Sequence, residues 1–400
     1  MVESHAAALA RKKPGELAVK AEMGGGHVSV APHGAHSSAA RGKRRMCAVR
    51  TTREFGMKAM VLKGKNTPLA LETVPDPVPG PGEAVAKVLA CGAGLTIHHT
   101  RTGRVPVEYP RILGHEITGE IVALGQGVSG LKIGDSVTAY FYLTCGHCYW
   151  CRVNRETLCD HFGGYVGREV DGGYAEYIKL PARNFLKLPP GLDWRKHPAE
   201  VAVITDAIAT PVKVIRRARV TPYDTVAVFG AGGGLGVHMT MVARWACARK
   251  VIAVDVMASK FEACLKAGAD AAVDASEGKV AEQLLELTGG KGVDVAIDFV
   301  SSTSTLEAGL AALGKGGRLV SLGGNSQPFR VEPAQALRKE IEILGSRYAT
   351  RQEVLDSLDL VARGELFPLV TEKVPLEQAE AIHQRLDKGL VTARAALVMG

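Results

Sequence analysis

Four cysteines fall within fifteen positions of this sequence, as Cys145-Gly-His-Cys148-Tyr-Trp-Cys151 followed by Cys159. That spacing brings four thiolates within reach of one tetrahedral zinc, and a closed set of four sulfur ligands leaves no coordination position for water or substrate. The metal expected here is structural, and its binding energy would hold a loop that has no core of its own. His147, between the cysteines, is expected to face solvent. The other four of the eight cysteines are scattered singly, so metal is favoured over disulfides and a reducing cytoplasm is the expected compartment.

A second constellation runs from Thr225 to Asp255. An apolar run, Val226 to Phe229, breaks into Gly230-Ala231-Gly232-Gly233-Gly234-Leu235-Gly236. A helix-period stretch from Val237 to Cys247 follows, then a second apolar run, Val251 to Val254, closing on Asp255. Strand, glycine turn, helix and strand in about 30 residues is the length of a dinucleotide-binding βαβ unit. The glycines let backbone N–H groups approach a pyrophosphate at the positive end of the following helix. Gly230 and Gly232 fit GxGxxG with Leu235 at the third position, whereas Gly230, Gly233 and Gly236 fit a GxxGxxG register. Asp255, at the tip of the second strand, is placed to accept both ribose hydroxyls and to repel a 2′-phosphate. NAD is therefore expected over NADP.

These groups need elements to hold them. From Met57 to about residue 207 the sequence shows short β-rich runs between Gly and Pro turns, namely Ala59 to Leu62, Ala84 to Ala90, Ile117 to Ala123, Ser136 to Phe141 and Tyr174 to Lys179. They predict a barrel-like β domain. From about Asp206 strands alternate with helices, with six strand candidates at Thr225, Val251, Ala271, Val293 to Phe299, Arg318 to Leu322 and Glu340 to Gly345. Six is the count of a complete dinucleotide fold. A helix over Gln352 to Arg363, an amphipathic stretch from Leu376 to Lys388 and a last strand from Ala395 to Met399 are expected to return to the first domain. The domain reading is thus 1–56 a disordered basic tail, 57–207 the β domain with its cysteine lobe, 208–347 the nucleotide domain, and 348–400 the return.

With 400 residues and 46% hydrophobic content the chain can fill more than one core. No apolar run is long enough to cross a bilayer, so no membrane partner is expected. The formal charge of +8 is concentrated at the N-terminus, where residues 1–56 hold ten Lys and Arg against four Asp and Glu. A nearly neutral body argues against nucleic acid as a partner.

The chain resembles the zinc-containing alcohol dehydrogenases of the medium-chain dehydrogenase/reductase superfamily over residues 57 to 400. The resemblance rests on the cysteine lobe, on Gly114-His115-Glu116 with Gly119, on Asp171-Gly172-Gly173-Tyr174-Ala175-Glu176, on the glycine turn with Asp255, and on the domain order. It implies an α/β architecture with a GroES-like catalytic domain and a Rossmann coenzyme domain, assembled as a homodimer or homotetramer through Rossmann-domain edges. It also implies reversible hydride transfer between NAD(P) and a small-molecule alcohol or carbonyl in the interdomain cleft. His115 matches a catalytic-zinc ligand, Glu116 the neighbouring acid that can exchange into the shell, and Asp206 the third ligand. Thr96 and His99 match the groups that pass the substrate proton to solvent. Val300, Leu322 and Gly323 match positions near the nicotinamide, and Arg394 an arginine near the pyrophosphate.

One position departs from the family pattern. Gly94 stands where the family has a ligand cysteine, and Ile97 replaces the usual acid. Cys91 lies an odd offset away and in extended chain would point to the opposite face. With a thiolate missing, one structural zinc is expected and a second is not. Three outcomes stay open: a metal-free centre with Thr96, His99 or His115 donating hydrogen bonds, a different metal bound with the help of Glu116 or His98, or a protein that binds NAD(H) without catalysis, as a sensor or assembly component. A metal-free centre would suit reduction of a double bond conjugated to a carbonyl. A conventional zinc alcohol dehydrogenase with rearranged ligands is the alternative among enzymes.

Overall fold

The computed structural model describes residues 56–324 and 326–400. The reading of residues 1–56 as a disordered tail lies, except for Gly56, outside the described residues.

The six expected strands of the second half form one parallel sheet, in the order Ala271–Asp274, Lys250–Asp255, Thr225–Phe229, Val293–Asp298, Leu313–Ser321, Glu342–Gly345. Thr225–Phe229 is buried at every position, as a central strand covered on both faces must be. Its neighbours Lys250–Asp255 and Val293–Asp298 come from opposite sides of the chain path. The strand order therefore reverses there, and a crevice opens beyond the carboxyl ends of these strands.

The first half forms a sheet in the order Val370–Pro375, Arg394–Val398, Glu83–Ala93, Ile117–Leu124, Ser136–Ala139, Phe185–Lys187, with Tyr177–Pro181 also paired to Glu83–Ala93. Both C-terminal strands thus join the sheet built by the first half of the chain. A smaller sheet holds Leu69–Val74, Met57–Leu62 and Arg111–Ile112. Leu69–Val74 gave little sequence signal because only Leu69 is buried. The expected strand at Tyr174 starts later, at Tyr177. Before it, the N–H groups of Gly172, Gly173 and Tyr174 donate to Ile112, Gly114 and Leu113, which ties the Asp171-Gly172-Gly173 run to the segment leading into His115. Ala84 to Ala90 extends to Glu83–Ala93.

Two features of this frame position the centre. Arg394–Val398 runs antiparallel to Glu83–Ala93 with Leu397 opposite Cys91 and Ala395 opposite Ala93. One step further in the same register sets Arg394 across from Gly94. The helical run Pro198–Val203 and Ala209–Ala218 is interrupted by a π-helical turn, Ile204–Ile208. Such a bulge re-aims one side chain out of the helix period, and Asp206 sits on it.

Candidate active site

The cysteine lobe has the geometry of a metal cage. Sγ atoms of Cys145 and Cys151 lie 3.9 Å apart, as do those of Cys148 and Cys159, and all four fall within 4.8 Å of one another. A tetrahedron with Zn–S bonds of about 2.3 Å has edges of about 3.8 Å. Backbone N–H groups of His147 and Cys148 donate to the Cys145 sulfur, and that of Cys145 to the Cys159 sulfur, which favours thiolate over thiol. The four residues can therefore hold a structural zinc. His147 is exposed, and its ring Nδ1 lies 3.1 Å from the Cys145 carbonyl.

At the other end of the catalytic fold, a cleft of about 540 Å³ opens between the two sheets. The nucleotide side contributes Gly230, Gly233, Gly234, Leu235, Gly236, Asp255, Val300, Leu322 and Gly323 to its wall. Helix Gly236–Trp245 starts at the turn with no side chain capping it, and Gly236 at its first position lines the cleft, so its positive end lies there. A Cβ at Gly236 would collide with the Gly230 carbonyl, so the turn needs glycine there. Gly232 has a different task from its neighbours: it is not part of the wall, and its N–H donates to Asp255 Oδ2 at 2.8 Å. Asp255 Oδ1 accepts from Met257 N–H at 3.0 Å, so the carboxylate is held in place from both sides. Lys260 packs beside Gly232. These observations fit a dinucleotide.

The opposite side brings together Thr96, His99, His115, Asp206 and Arg394. Thr96 and His99 sit three residues apart on the helix Leu95–Arg101, which was not foreseen because seven residues carry too little apolar period. Thr96 is exposed to the cleft. His99 Nε2 accepts from Arg104 Nη1 at 3.2 Å, and burial, with Arg104 and His98 nearby, lowers its pKa. His98 is directed away, to Asp387 at 3.0 Å, and takes no part in the cluster of metal-capable groups. Cys91 is fully buried on the far side of its strand, against Gly114 and Gly173.

The centre itself is an ion cluster. His115, Glu116 and Asp206 gather within 4.8 Å of one another, and the His115 ring is fixed by Phe141 at 4.2 Å between centroids. Asp206 Oδ1 accepts from the Thr210 hydroxyl at 2.7 Å. Between the carboxylates lies a guanidinium: Arg394 Nη2 donates to Asp206 Oδ2 at 2.7 Å and to Glu116 Oε1. Its Nη1 lies where a side chain at Gly94 would begin, and it also borders Gly234 of the glycine turn. Burial pushes the Glu116 carboxyl up to about 7 against the pull of Arg394, and its second oxygen has no partner. Burial acts on Asp206 in the same direction, but His115, Arg394 and Thr210 outweigh it and hold that carboxyl well below the usual range. Gly94 offers no ligand atom and both carboxylates already pair with a cation, so the set does not fit a metal centre with three protein ligands and an open position.

Sequence reasoning placed Arg394 near the pyrophosphate and did not foresee its ion pairs. It also passed over His238, fully buried on the helix after the turn. The ring Nδ1 of His238 lies 2.7 Å from the Gly234 carbonyl, and Nε2 accepts from Leu369 N–H at 2.9 Å. The histidine stitches the glycine turn to the segment leading into the last two strands.

Comparison with known proteins follows the same division of the chain. Residues 80–190 match the family model of the alcohol dehydrogenase GroES-like domain, and residues 234–363 that of the zinc-binding dehydrogenases. An NAD-dependent alcohol dehydrogenase of Sulfurisphaera tokodaii is 32% identical over 352 residues, 86% of this chain and 100% of the relative. An acryloyl-coenzyme A reductase of Metallosphaera sedula is 32% identical over 334 residues, 82% of this chain and 96% of the relative. Among solved structures, that of AibC is 34% identical with a TM-score of 0.80, covering 91% of this chain and 99% of that one. No helix among the described residues is long and apolar enough to cross a membrane.

Proposed function

The chain belongs to the zinc-containing alcohol dehydrogenase family of medium-chain oxidoreductases, and from that membership we propose that it reduces a carbonyl-conjugated double bond with NADH at a metal-free centre whose cation is Arg394. The observation that carries this reading is the guanidinium seated on Glu116 and Asp206, opposite a glycine that supplies no ligand. The acryloyl-coenzyme A reductase among the relatives supports it.

NADH supplies the hydride when bound. Gly230, Gly233, Gly234, Leu235 and Gly236 then cradle the pyrophosphate, Asp255 takes the ribose hydroxyls and disfavours a 2′-phosphate, and Val300, Leu322 and Gly323 flank the nicotinamide. In a conjugated carbonyl compound the β-carbon accepts the hydride, and the electron pair moves through the double bond to the carbonyl oxygen. Charge develops away from the hydride-accepting carbon, so hydrogen-bond donors can stabilise it without a Lewis acid. The Thr96 hydroxyl is the donor nearest the helix start. It gives its proton to the α-carbon and regains one from His99, which takes its own replacement from solvent, so the net proton added comes from water. Reduction of an alcohol-type carbonyl at the same centre would lack the metal that normally offsets alkoxide charge.

A conventional zinc enzyme is the reading favoured by the grouping of His115, Glu116 and Asp206, but it requires Arg394 to leave both carboxylates. A non-catalytic NAD(H) sensor would have no use for Thr96 and His99. The proposal retains the domain limits 57–207, 208–347 and 348–400, a cytoplasmic location, and a homodimer or homotetramer covering the edge strand Glu342–Gly345, where Ile343 and the neighbouring Leu337 are exposed.

The test is NADH oxidation with crotonyl-coenzyme A and cyclohexenone, set against NAD⁺ reduction with simple alcohols. Turnover of the conjugated substrates with slow alcohol oxidation supports the reading. Alcohol oxidation alone would reject it.

A further inference from the structure

We propose that the substrate carries an oxyanion remote from its reacting carbon, a carboxylate or a phosphate, and that Arg168 binds it. The inference rests on the reading of the cleft as a substrate site and names the class of molecule that enters.

Arg168 stands at the tip of a tight turn. Its N–H and that of Glu169 both donate to the Tyr165 carbonyl at 3.2 and 3.1 Å, and Gly167 N–H donates to Val170 at 2.9 Å. Gly167 has φ of 80°, and a Cβ there would press on the backbone of Gly114, the residue before His115. The turn is thereby locked against the active-site segment. The guanidinium lies over the Tyr165 ring at 4.4 Å, and that ring is itself fixed by its hydroxyl, which accepts from Arg347 at 2.7 Å.

What Arg168 lacks is a hydrogen-bonded anion. Its Nε is buried with no hydrogen-bond partner. Glu169 Oε1 makes only a long ion pair with it, at 3.9 Å and outside hydrogen-bond reach, and Glu169 Oε2 is engaged by Tyr165 N–H. The side chain is 23% exposed and lines the cleft. Of the charged residues in that wall, Asp206 and Arg394 satisfy each other, while Asp255 and Lys260 belong to the nucleotide end. Arg168 is the permanent charge on the catalytic side that has no hydrogen-bonded partner. A rigid guanidinium with unspent donors matches the two oxygens of a carboxylate or phosphate, and a buried donor without a partner is costly until one arrives. The pyrophosphate of the dinucleotide is served by the glycine turn, so the anion for Arg168 comes with the substrate.

The oxyanion can belong to the acid being reduced or to a phosphate-bearing thioester carrier, and binding separates them. Full-length protein saturated with NAD⁺, which allows no reduction, is titrated calorimetrically with butyryl-coenzyme A, with 4-oxopentanoate and with neutral 2-pentanone. The same titrations are run on Arg168→Gln, with NAD⁺ affinity and the unfolding midpoint verifying its fold. The expected result is a loss of about 10- to 100-fold in the variant for at least one anionic ligand, with the ketone unchanged. A loss confined to the thioester identifies phosphate, and a loss for the keto acid identifies carboxylate. Equal affinities in both proteins, or no binding of either anion to the unaltered protein, overturn the proposal. Binding that depends on Arg168 without any hydride transfer in the assays above would leave this inference standing and remove the proposed reaction.

Discussion

Gly94 and Arg394 face each other across two antiparallel strands, and the arginine fills the space that a side chain at position 94 would take. Removing a thiolate ligand leaves two buried carboxylates, Glu116 and Asp206, and the guanidinium pairs with both, its single charge offsetting one while burial pushes the Glu116 carboxyl up to about 7. Restoring the sulfur without removing the arginine should therefore fail. Gly94→Cys is expected to lose about 1–3 kcal/mol of stability through overpacking, measured by denaturant unfolding. Arg394→Met, which removes the guanidinium from both acids and leaves the Glu116 carboxyl without a hydrogen-bond partner, should lose about 3–5 kcal/mol. Gly94→Cys combined with Arg394→Ala should recover stability when zinc is added and take up one more ion per chain than the parent.

His238 makes stability depend on pH. Burial, chiefly, lowers its pKa to about 4 from the ordinary 6.5, although the Gly234 carbonyl acts against that shift. The unfolded chain therefore binds the proton more readily than the folded one. Stability contributed by neutral His238 is complete above about pH 6.5 and is lost as pH falls toward 4, by roughly 3 kcal/mol at the acid end. Unfolding free energies of the parent and of His238→Gln at pH 7.5 and 4.5 should diverge at the higher pH and converge at the lower. A constant difference would refute the assignment.

The cysteine lobe has only two short helical turns, Tyr149–Arg152 and Glu156–Leu158, and in the first no residue is buried. Its C-terminal turn is tied to the body through Glu156 and Thr157, which accept from Arg351 and Arg347, so the segment around Tyr149–Arg152 is the part whose order depends most on a metal. Chelation of zinc, or Cys148→Ser, is expected to raise proteolytic cleavage within residues 145–159 and to lower the unfolding midpoint.

Coenzyme choice should rest on Asp255. Asp255→Asn keeps an oxygen to accept from Gly232 or Met257 and removes the charge. The preference for NADH over NADPH, measured as the ratio of dissociation constants, should fall by about tenfold or more.

The parts legible in the sequence are the local ones. The cysteine spacing, the glycine turn with Asp255, and the six parallel strands each lie in a short stretch whose periodicity or ligand spacing carries the signal. Thr96 and His99 were recognisable by resemblance, yet the helix that presents them was not. The Arg394 ion pairs were illegible for a different reason: they depend on a strand register between segments 300 residues apart, and on a π-helical turn that aims Asp206 inward. Arg168 sits in a turn of no regular period, and His238 reads as one position in a helix-period stretch. Only the tertiary structure shows what either touches.

The most direct measurement is zinc content per chain of full-length protein expressed with ample zinc and stripped of loosely held ions. One zinc per chain, lost when Cys145, Cys148, Cys151 or Cys159 is replaced, is the predicted result. Two per chain, the second lost on replacing His115 or Asp206, would contradict the assignment of Arg394 as the cation of the active centre.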